Sequence, residues 1–581
     1  MPRGKGNRMA KATIERARDA VARRDWPAAY QGFTVAQPND LGATDLEALA
    51  DAAWWVSRFD ESIDARQRAY AAYAAAGDDF GSAATASRLA IEHFVQGHPS
   101  IGAGFLLRAQ RHAKQLPEGI GHGYLAMVES NVARFSGDLE RAVGLAQRAV
   151  EIAERWGDRD LIAMALHTQG LALVDAGRIA EGLGCMDEAM VSVLSGEVDP
   201  YFTGIIFCGL IAACLELQDV RRAGEWSDAA QTWCSTLRPD APFPGMCAVN
   251  HAEVARRRGA WPEAEAELVR ATETLLAIEP DLAAPAFVQL GEVRRRTGNH
   301  TDAEEAFLRG AELGGDPQPG LALLRAATGR VVEASGELRH AVAAEHQPAR
   351  RARLLAALVE VAIADRDLDG AREATEALRV VADAAGTPGL DALVAGATGQ
   401  LALASGDPVA ATDRLAAAAA AFDELGLPYE AARARVARAR ALGDAGDASA
   451  AEPELERAAA ALRQLGAEPE LAAIDRLRRG HDAALPAGLT ARSRGAPPGR
   501  RGQDEPRHRR RARDQRAHGS SPSAEHVREA GRLFPSGRDR LRLRERARLT
   551  ARGAFSPRHV AKEDGCFRRC PRHPRAPTVA T

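Results

Sequence analysis

A short turn signal recurs along this chain about every 40 residues. It is most often Gly-Asp, or a close equivalent, followed by a polar residue and alanine. The signals stand near Arg24-Asp25, Arg58-Phe59-Asp60, Gly97, Gly137-Asp138, Gly177-Arg178, Gln218-Asp219, Gly259, Gly298-Asn299, Gly329-Arg330, Arg366-Asp367, Gly406-Asp407 and Gly446-Asp447. Most intervals fall between 35 and 42 residues, and one near Gly329 is 31. A second comb, Gly386, Gly426 and Gly466, lies half a period away. A period of this length marks a repeat architecture before any single motif is weighed. Glycine fits both combs because it ends a helix in the left-handed conformation without a Cβ clash.

Between the signals the apolar residues keep a helical period. In 139–156, Leu139, Ala142, Val143, Ala146, Ala149, Val150 and Ala153 form one stripe, and Glu140, Arg141, Arg148, Glu151 and Glu154 lie opposite. Trp26-Pro27-Ala28-Ala29 and Trp261-Pro262-Glu263-Ala264 occupy the same place in two repeats, with proline in a first turn where its missing N–H costs nothing. Each period therefore holds two helices, and no single hairpin can bury its own stripe. The expected fold is all-α: about twelve helical hairpins stacked into a right-handed superhelical solenoid with a concave inner face, of the tetratricopeptide type although with longer repeats. A last unpaired helix is expected over 468–479, stopped by Gly480.

Charge divides the chain. The 581 residues carry a net charge of −3, but 486–581 hold 24 Arg, 1 Lys and 9 acidic residues, a net of +16, against −19 for 1–485. Such asymmetry points to two parts with different jobs. Seven cysteines are too few for a disulfide scaffold in a chain this long. Cys185, Cys208, Cys214, Cys234 and Cys247 read as small buried hydrophobes suited to a reducing compartment. Met1-Pro2-Arg3-Gly4-Lys5-Gly6 leads into no apolar segment, and the longest apolar run, 204–215, is too short for a bilayer. A cytoplasmic protein is expected, with no membrane contact.

Catalytic signatures are missing. There is no Gly-x4-Gly-Lys-Ser/Thr phosphate loop, no Gly-x-Ser-x-Gly elbow and no His-Glu-x-x-His pair. His93, His98, His112, His122, His167, His251, His300, His340 and His346 are scattered and are expected in turns and on the surface. Cys566 and Cys570, with His559 and His573, do not have the spacing of a zinc finger. No enzyme, cofactor or metal is expected. Trp54-Trp55, and Trp226 with Trp233 seven residues on, are the candidate partner surface. An aromatic lining of the concave face is the functional reading, and packing between hairpins the structural one. The apolar segment 201–215 reads as a central buried helix.

Several segments resemble those of tetratricopeptide-bearing LuxR-type transcription regulators of high-GC actinobacteria. They are Ala52-Ala53-Trp54-Trp55, then Phe59-Asp60-Glu61-Ser62-Ile63-Asp64-Ala65-Arg66-Gln67-Arg68-Ala69-Tyr70, then Gly182-Leu183-Gly184-Cys185-Met186-Asp187-Glu188-Ala189-Met190, and the stretch from Cys208 to Cys234. The resemblance covers roughly 10–485. It implies a repeat array that senses a signal or partner, followed by a helix-turn-helix domain that binds promoter DNA. That domain opens Leu-Thr-x-Arg, as in Leu489-Thr490-Ala491-Arg492. From Ser493 the pattern is lost to prolines and arginines. Read one nucleotide later with GC-rich codons, 503–517 permits KTNRDIAAELVISE and 529–536 permits KLGVSSR, two hallmarks of the family domain in order. The expectation is a frameshifted DNA-binding domain; the alternative is a genuine disordered basic tail, which would bind nucleic acid only non-specifically.

The chain thus divides into a flexible 1–10, a repeat array over 11–480, a linker and motif stub over 481–492, and an arginine- and proline-rich tail over 493–581. The resemblance implies a LuxR-type regulator with its DNA-binding half lost. The alternative function is a protein-interaction scaffold without DNA binding, whose partner is a protein or peptide on the concave face.

Overall fold

The structure is a computed structural model, which describes residues 3–37 and 40–484. The described helices belong to one of the chain's two units, 1–497; the other, 498–581, lies outside the described residues. So do the stub Leu489, Thr490, Ala491 and Arg492, the whole 493–581 tail, and Cys566, Cys570, His559 and His573.

Twenty-five α-helices are described. In the first half they are α1 (Arg3–Ala22), α2 (Trp26–Val35), α3 (Ala43–Trp55), α4 (Phe59–Ala76), α5 (Asp79–Val95), α6 (Pro99–Ala113), α7 (Ile120–Phe135), α8 (Leu139–Trp156), α9 (Arg159–Asp175), α10 (Ile179–Leu194), α11 (Pro200–Glu216) and α12 (Val220–Cys234). There follow α13 (Pro242–Arg257), α14 (Trp261–Ile278), α15 (Ala284–Thr297), α16 (His300–Glu312), α17 (Gly320–Ala327), α18 (Val331–Ala344), α19 (Pro348–Ala364), α20 (Leu368–Ala385), α21 (Pro388–Ala404), α22 (Pro408–Glu424), α23 (Pro428–Asp444), α24 (Ala448–Leu465) and α25 (Glu468–Ala484). Consecutive odd and even helices pair into hairpins, and each odd-numbered helix generally packs on the next odd-numbered one as well. The molecule is an all-α superhelical solenoid with the odd helices as its inner layer.

The turn chemistry explains the hairpins. At the twelve odd-to-even turns one residue has positive φ: Arg24, Ser57, Gly97, Gly137, Gly177, Gln218, Gly259, Gly298, Gly329, Arg366, Gly406 and Gly446. Left-handed backbone ends the first helix, and the aspartate or asparagine that often follows caps the second. Asp219 accepts from the Arg222 N–H at 3.0 Å, Asp367 from Gly370 at 2.9 Å and Asp407 from Ala410 at 3.0 Å. A side-chain acceptor here satisfies a helix N–H that has no intrahelical partner. The 31-residue interval has a simple cause: α17 is only eight residues long.

Alanine sets the spacing. Ala142, Ala146, Ala149 and Ala153 of α8 are all fully buried. Between α9 and α10 the backbones come closer still: a Cβ on Gly170 would lie 2.7 Å from the Gly182 carbonyl, and one on Gly182 would lie 2.6 Å from the Gly170 carbonyl. The apolar segment 201–215 is indeed a central helix, α11, with Ile206, Phe207, Leu210 and Ile211 buried.

Three expectations change. First, α25 runs through Gly480 to Ala484, because an interior glycine weakens a helix by about 1 kcal/mol and does not by itself end one. Second, His93 and His167 are buried, at 5% and 3% exposure, because both sit on inner-layer helices. Gly209 makes room for His167: a Cβ there would lie 2.5 Å from its Cε1. Third, successive turns of the superhelix touch one another. Ser57 Oγ donates to the Asp240 carbonyl at 2.8 Å, Gln347 reaches Asp175 at 3.5 Å and Arg296 reaches Glu430 at 3.1 Å, across 183, 172 and 134 residues of sequence. At ~40 residues per hairpin, successive superhelical turns meet after about four hairpins. α1 begins at Arg3, inside the segment 1–10.

Candidate functional site

Where the turns meet, the inner layer presents aromatic residues in its first half and charges in its second. Trp54 and Trp55 end α3. Trp54 lies 4.9 Å from Tyr201 and 5.3 Å from Phe243, ring centre to ring centre, and Trp55 lies 5.9 Å from Phe243 and stacks on Trp26. Trp233 on α12 reaches the same Phe243 at 5.5 Å. One buried ring from the second turn thus gathers three of the four tryptophans singled out in the sequence. Trp226 stands two helical turns before Trp233 on α12, its Nε1 buried without a hydrogen-bond partner. Arg88 lies over the Tyr201 ring at 3.8 Å, so a cation–π contact joins α5 to this seam. The geometry gives these side chains a packing role.

Further along the axis, the inner helices α13, α15, α19, α21 and α23 wall a cavity of about 180 Å³. Its lining includes Arg256, Arg257, Arg295, Arg296, Arg353 and Arg433 against Glu292, Glu360 and Glu430. All of these charges stand on odd-numbered helices, at i,i+3 spacing in Glu292/Arg295 and Glu430/Arg433 and two turns apart in Arg353/Glu360. Buried charges are tolerated only when paired, and most here are. Glu216 accepts both hydrogen bonds of Arg353 at 2.9 Å, Glu360 accepts from Arg433 at 2.6 Å, and Glu292 from Arg295 at 3.0 Å. Glu253 accepts from Arg257 at 2.7 Å. Burial alone would push the Glu292 carboxyl up; Arg295, Arg296 and Arg256 outweigh it and hold it well below the usual carboxylate range.

Arg256 is the exception. It is 3% exposed, its Nε donates to the neutral Gln289 amide at 2.9 Å, and its Nη1 has no partner. The nearest carboxylate, Glu253, stands 3.7 Å away and is already engaged by Arg257. Burial, and then the like charge of Arg296, lower its pKa to about 9.

A third feature lies on the outside. Phe80 opens α5 and Trp156 closes α8, at 61% and 51% exposure. Their rings flank the start of α7, 3.9 Å and 4.0 Å from where a Cβ would stand on Gly121 and Gly119. Glu118, paired with both Arg148 and Arg155, rims this patch. Neither aromatic residue stands out in the sequence. Trp156 falls at the end of the apolar stripe of α8 and Phe80 at the start of α5, so spacing alone reads both as core positions and carries no signal of their exposure.

Among the described residues no group of His, Cys, Asp and Glu is arranged to hold a metal. No described helix is long and apolar enough to cross a membrane. Cys214, Cys234 and Cys247 are buried, Cys185 and Cys208 half-buried, and all five are free thiols.

Fold and inner layer together define a tetratricopeptide-like helical-repeat solenoid. No family model matches the chain, and no curated protein matches it. Among solved structures the chain is similar to the Cut9–Hcn1 hetero-tetramer of APC/C, at 13% identity and a TM-score of 0.34, over 80% of this chain and 96% of that one. It is also similar to a Rap protein complexed with competence and sporulation factor, at 12% identity and a TM-score of 0.38, over 66% and 98%. At these scores the likenesses carry no argument about what this chain does.

Proposed function

We propose that the chain is a protein-interaction scaffold whose repeat array, residues 11–480, docks a partner protein. The observation that carries this is the exposed Phe80–Trp156 pair on the edge of the array. Two large rings held in the open by a rigid frame, with an arginine–glutamate rim, have the composition of an interaction hot spot. The partner is a protein or peptide, and a cytoplasmic location suits the free thiols. The test is recovery of cross-linked partners from extracts of the source cell by the full chain and by a Phe80→Ser/Trp156→Ser variant. The reading expects a partner that the wild type recovers and the double variant loses while its helical content is unchanged. Equal recovery by both would contradict it.

A second reading is a LuxR-type transcription regulator by descent. It is favoured by Leu489-Thr490-Ala491-Arg492 and by the two family hallmarks latent in the neighbouring frame after it. In this reading 481–492 is a linker and stub, 493–581 is out of frame, and the array is the sensor. Sequencing the gene tests it. A shifted frame that encodes no helix-turn-helix ends this reading, whereas sequence-specific DNA binding by the chain as written at ~200 mM salt, where non-specific arginine contacts are screened, favours a regulator and overturns only the out-of-frame account of 493–581.

A further inference from the structure

We propose that the axial cavity between α13, α15, α19, α21 and α23 binds a small anion, a carboxylate or phosphate group, which supplies the counter-charge that Arg256 lacks. Among the cavity's charged side chains, Arg256 is the one with no opposite charge at hydrogen-bond distance. Each of Glu216, Glu253, Glu292, Glu360 and Glu430 has an arginine of its own within 3.1 Å. Arg256 alone among the six cavity arginines has only an amide oxygen at hydrogen-bond distance. A buried guanidinium whose nearest carboxylate lies beyond hydrogen-bond distance is costly, and removing that cost is a source of ligand affinity.

Size and access fit the same ligand. A cavity of about 180 Å³ has room for a phosphate or a short dicarboxylate. Arg353, Glu360 and Arg433, 27–36% exposed, form its wetter side. Guanidinium forks match the oxygens of carboxylate and phosphate, often two at a time. An anion seated among Arg296, Arg353 and Arg433 would also relieve the repulsion between Arg296 and Arg256. The cavity lies on the inner helices and Phe80 and Trp156 at an outer edge, so the proposal does not rest on the docking reading.

The test is calorimetric titration of the full chain with sodium phosphate and, separately, sodium succinate, with ionic strength held constant by sodium chloride. Saturable binding of at least one probe is expected, weakened about tenfold or more by Arg256→Met. Arg379→Met, at an exposed arginine paired with Glu376 and Asp383 outside the cavity, is expected to bind as the wild type does. Binding of phosphate alone assigns a phosphoryl ligand, and binding of succinate alone a carboxylate. No saturable binding of either probe, or wild-type binding by Arg256→Met, overturns the proposal. Should Arg256→Met fail to fold by circular dichroism, Arg353→Met on the wetter wall takes its place: weakened binding supports the proposal and wild-type binding overturns it.

Discussion

His167 lies beneath Gly209 with its ring buried, and burial, then the charge of Arg134, lower its pKa from 6.5 to about 3. Above pH 6.5 the imidazole is neutral in both folded and unfolded chains and adds no slope. Below it the unfolded chain takes a proton that the folded one refuses, so stability falls as pH drops toward 3. By pH 5 this one residue costs about 2 kcal/mol. Urea unfolding of His167→Asn at pH 7 and pH 5 is expected to show a smaller loss between the two pH values than the wild type, whatever its baseline. An equal loss would assign the acid sensitivity elsewhere. At this scale the sequence is least informative. Nine histidines are all expected at turns or on the surface, and nothing within a few positions of His93 or His167 marks them as inward-facing. The same holds for Arg256. Its sequence neighbours Glu253 and Arg257 look like an ordinary solvated helix face, and only the fold shows that Glu253 is already taken by Arg257.

Helices and turns are far more legible, because the chemistry that sets them is local. A left-handed glycine and an aspartate cap act within four residues of each other, so the comb of Gly137, Gly406 and Gly446 can be read directly. Asp407→Ala removes the acceptor for the Ala410 N–H and is expected to cost about 1 kcal/mol in thermal or urea unfolding. Glycines inside helices separate two cases that look alike in sequence. Gly170→Ala would drive a Cβ into the Gly182 carbonyl and Met186, an overpacking cost of about 1–3 kcal/mol. Gly144 on α8 has nothing within 4 Å, and Gly144→Ala is expected to stabilise the chain by up to about 1 kcal/mol. Opposite signs in one unfolding assay would verify the α9–α10 approach; the same sign for both would contradict it. Gly480 misleads in the same way, because an interior glycine and a terminal one carry the same letter.

For the whole molecule, the repeat count and the all-α class follow from periodicity, while the closure of one superhelical turn on the next does not. Trp54 meets Phe243 and Ser57 meets Asp240 across more than 180 residues, and no pattern in either segment names the other. The tryptophans stand out in the sequence for their size, and the structure spends most of that size on the seam between turns. The central claim is this contact between turns, since it brings the charges of the inner helices together around the axial cavity. It is tested most directly by a spin-label distance between Ser57→Cys and Asp240→Cys in the full chain, with the half-buried Cys185 and Cys208 and the tail Cys566 and Cys570 replaced by serine. Contact between turns predicts a narrow distribution within about 20 Å, the reach of two labels on touching loops. An open solenoid, with about four hairpins of roughly 10 Å each between the sites, would give a broad distribution near 40 Å and contradict the account.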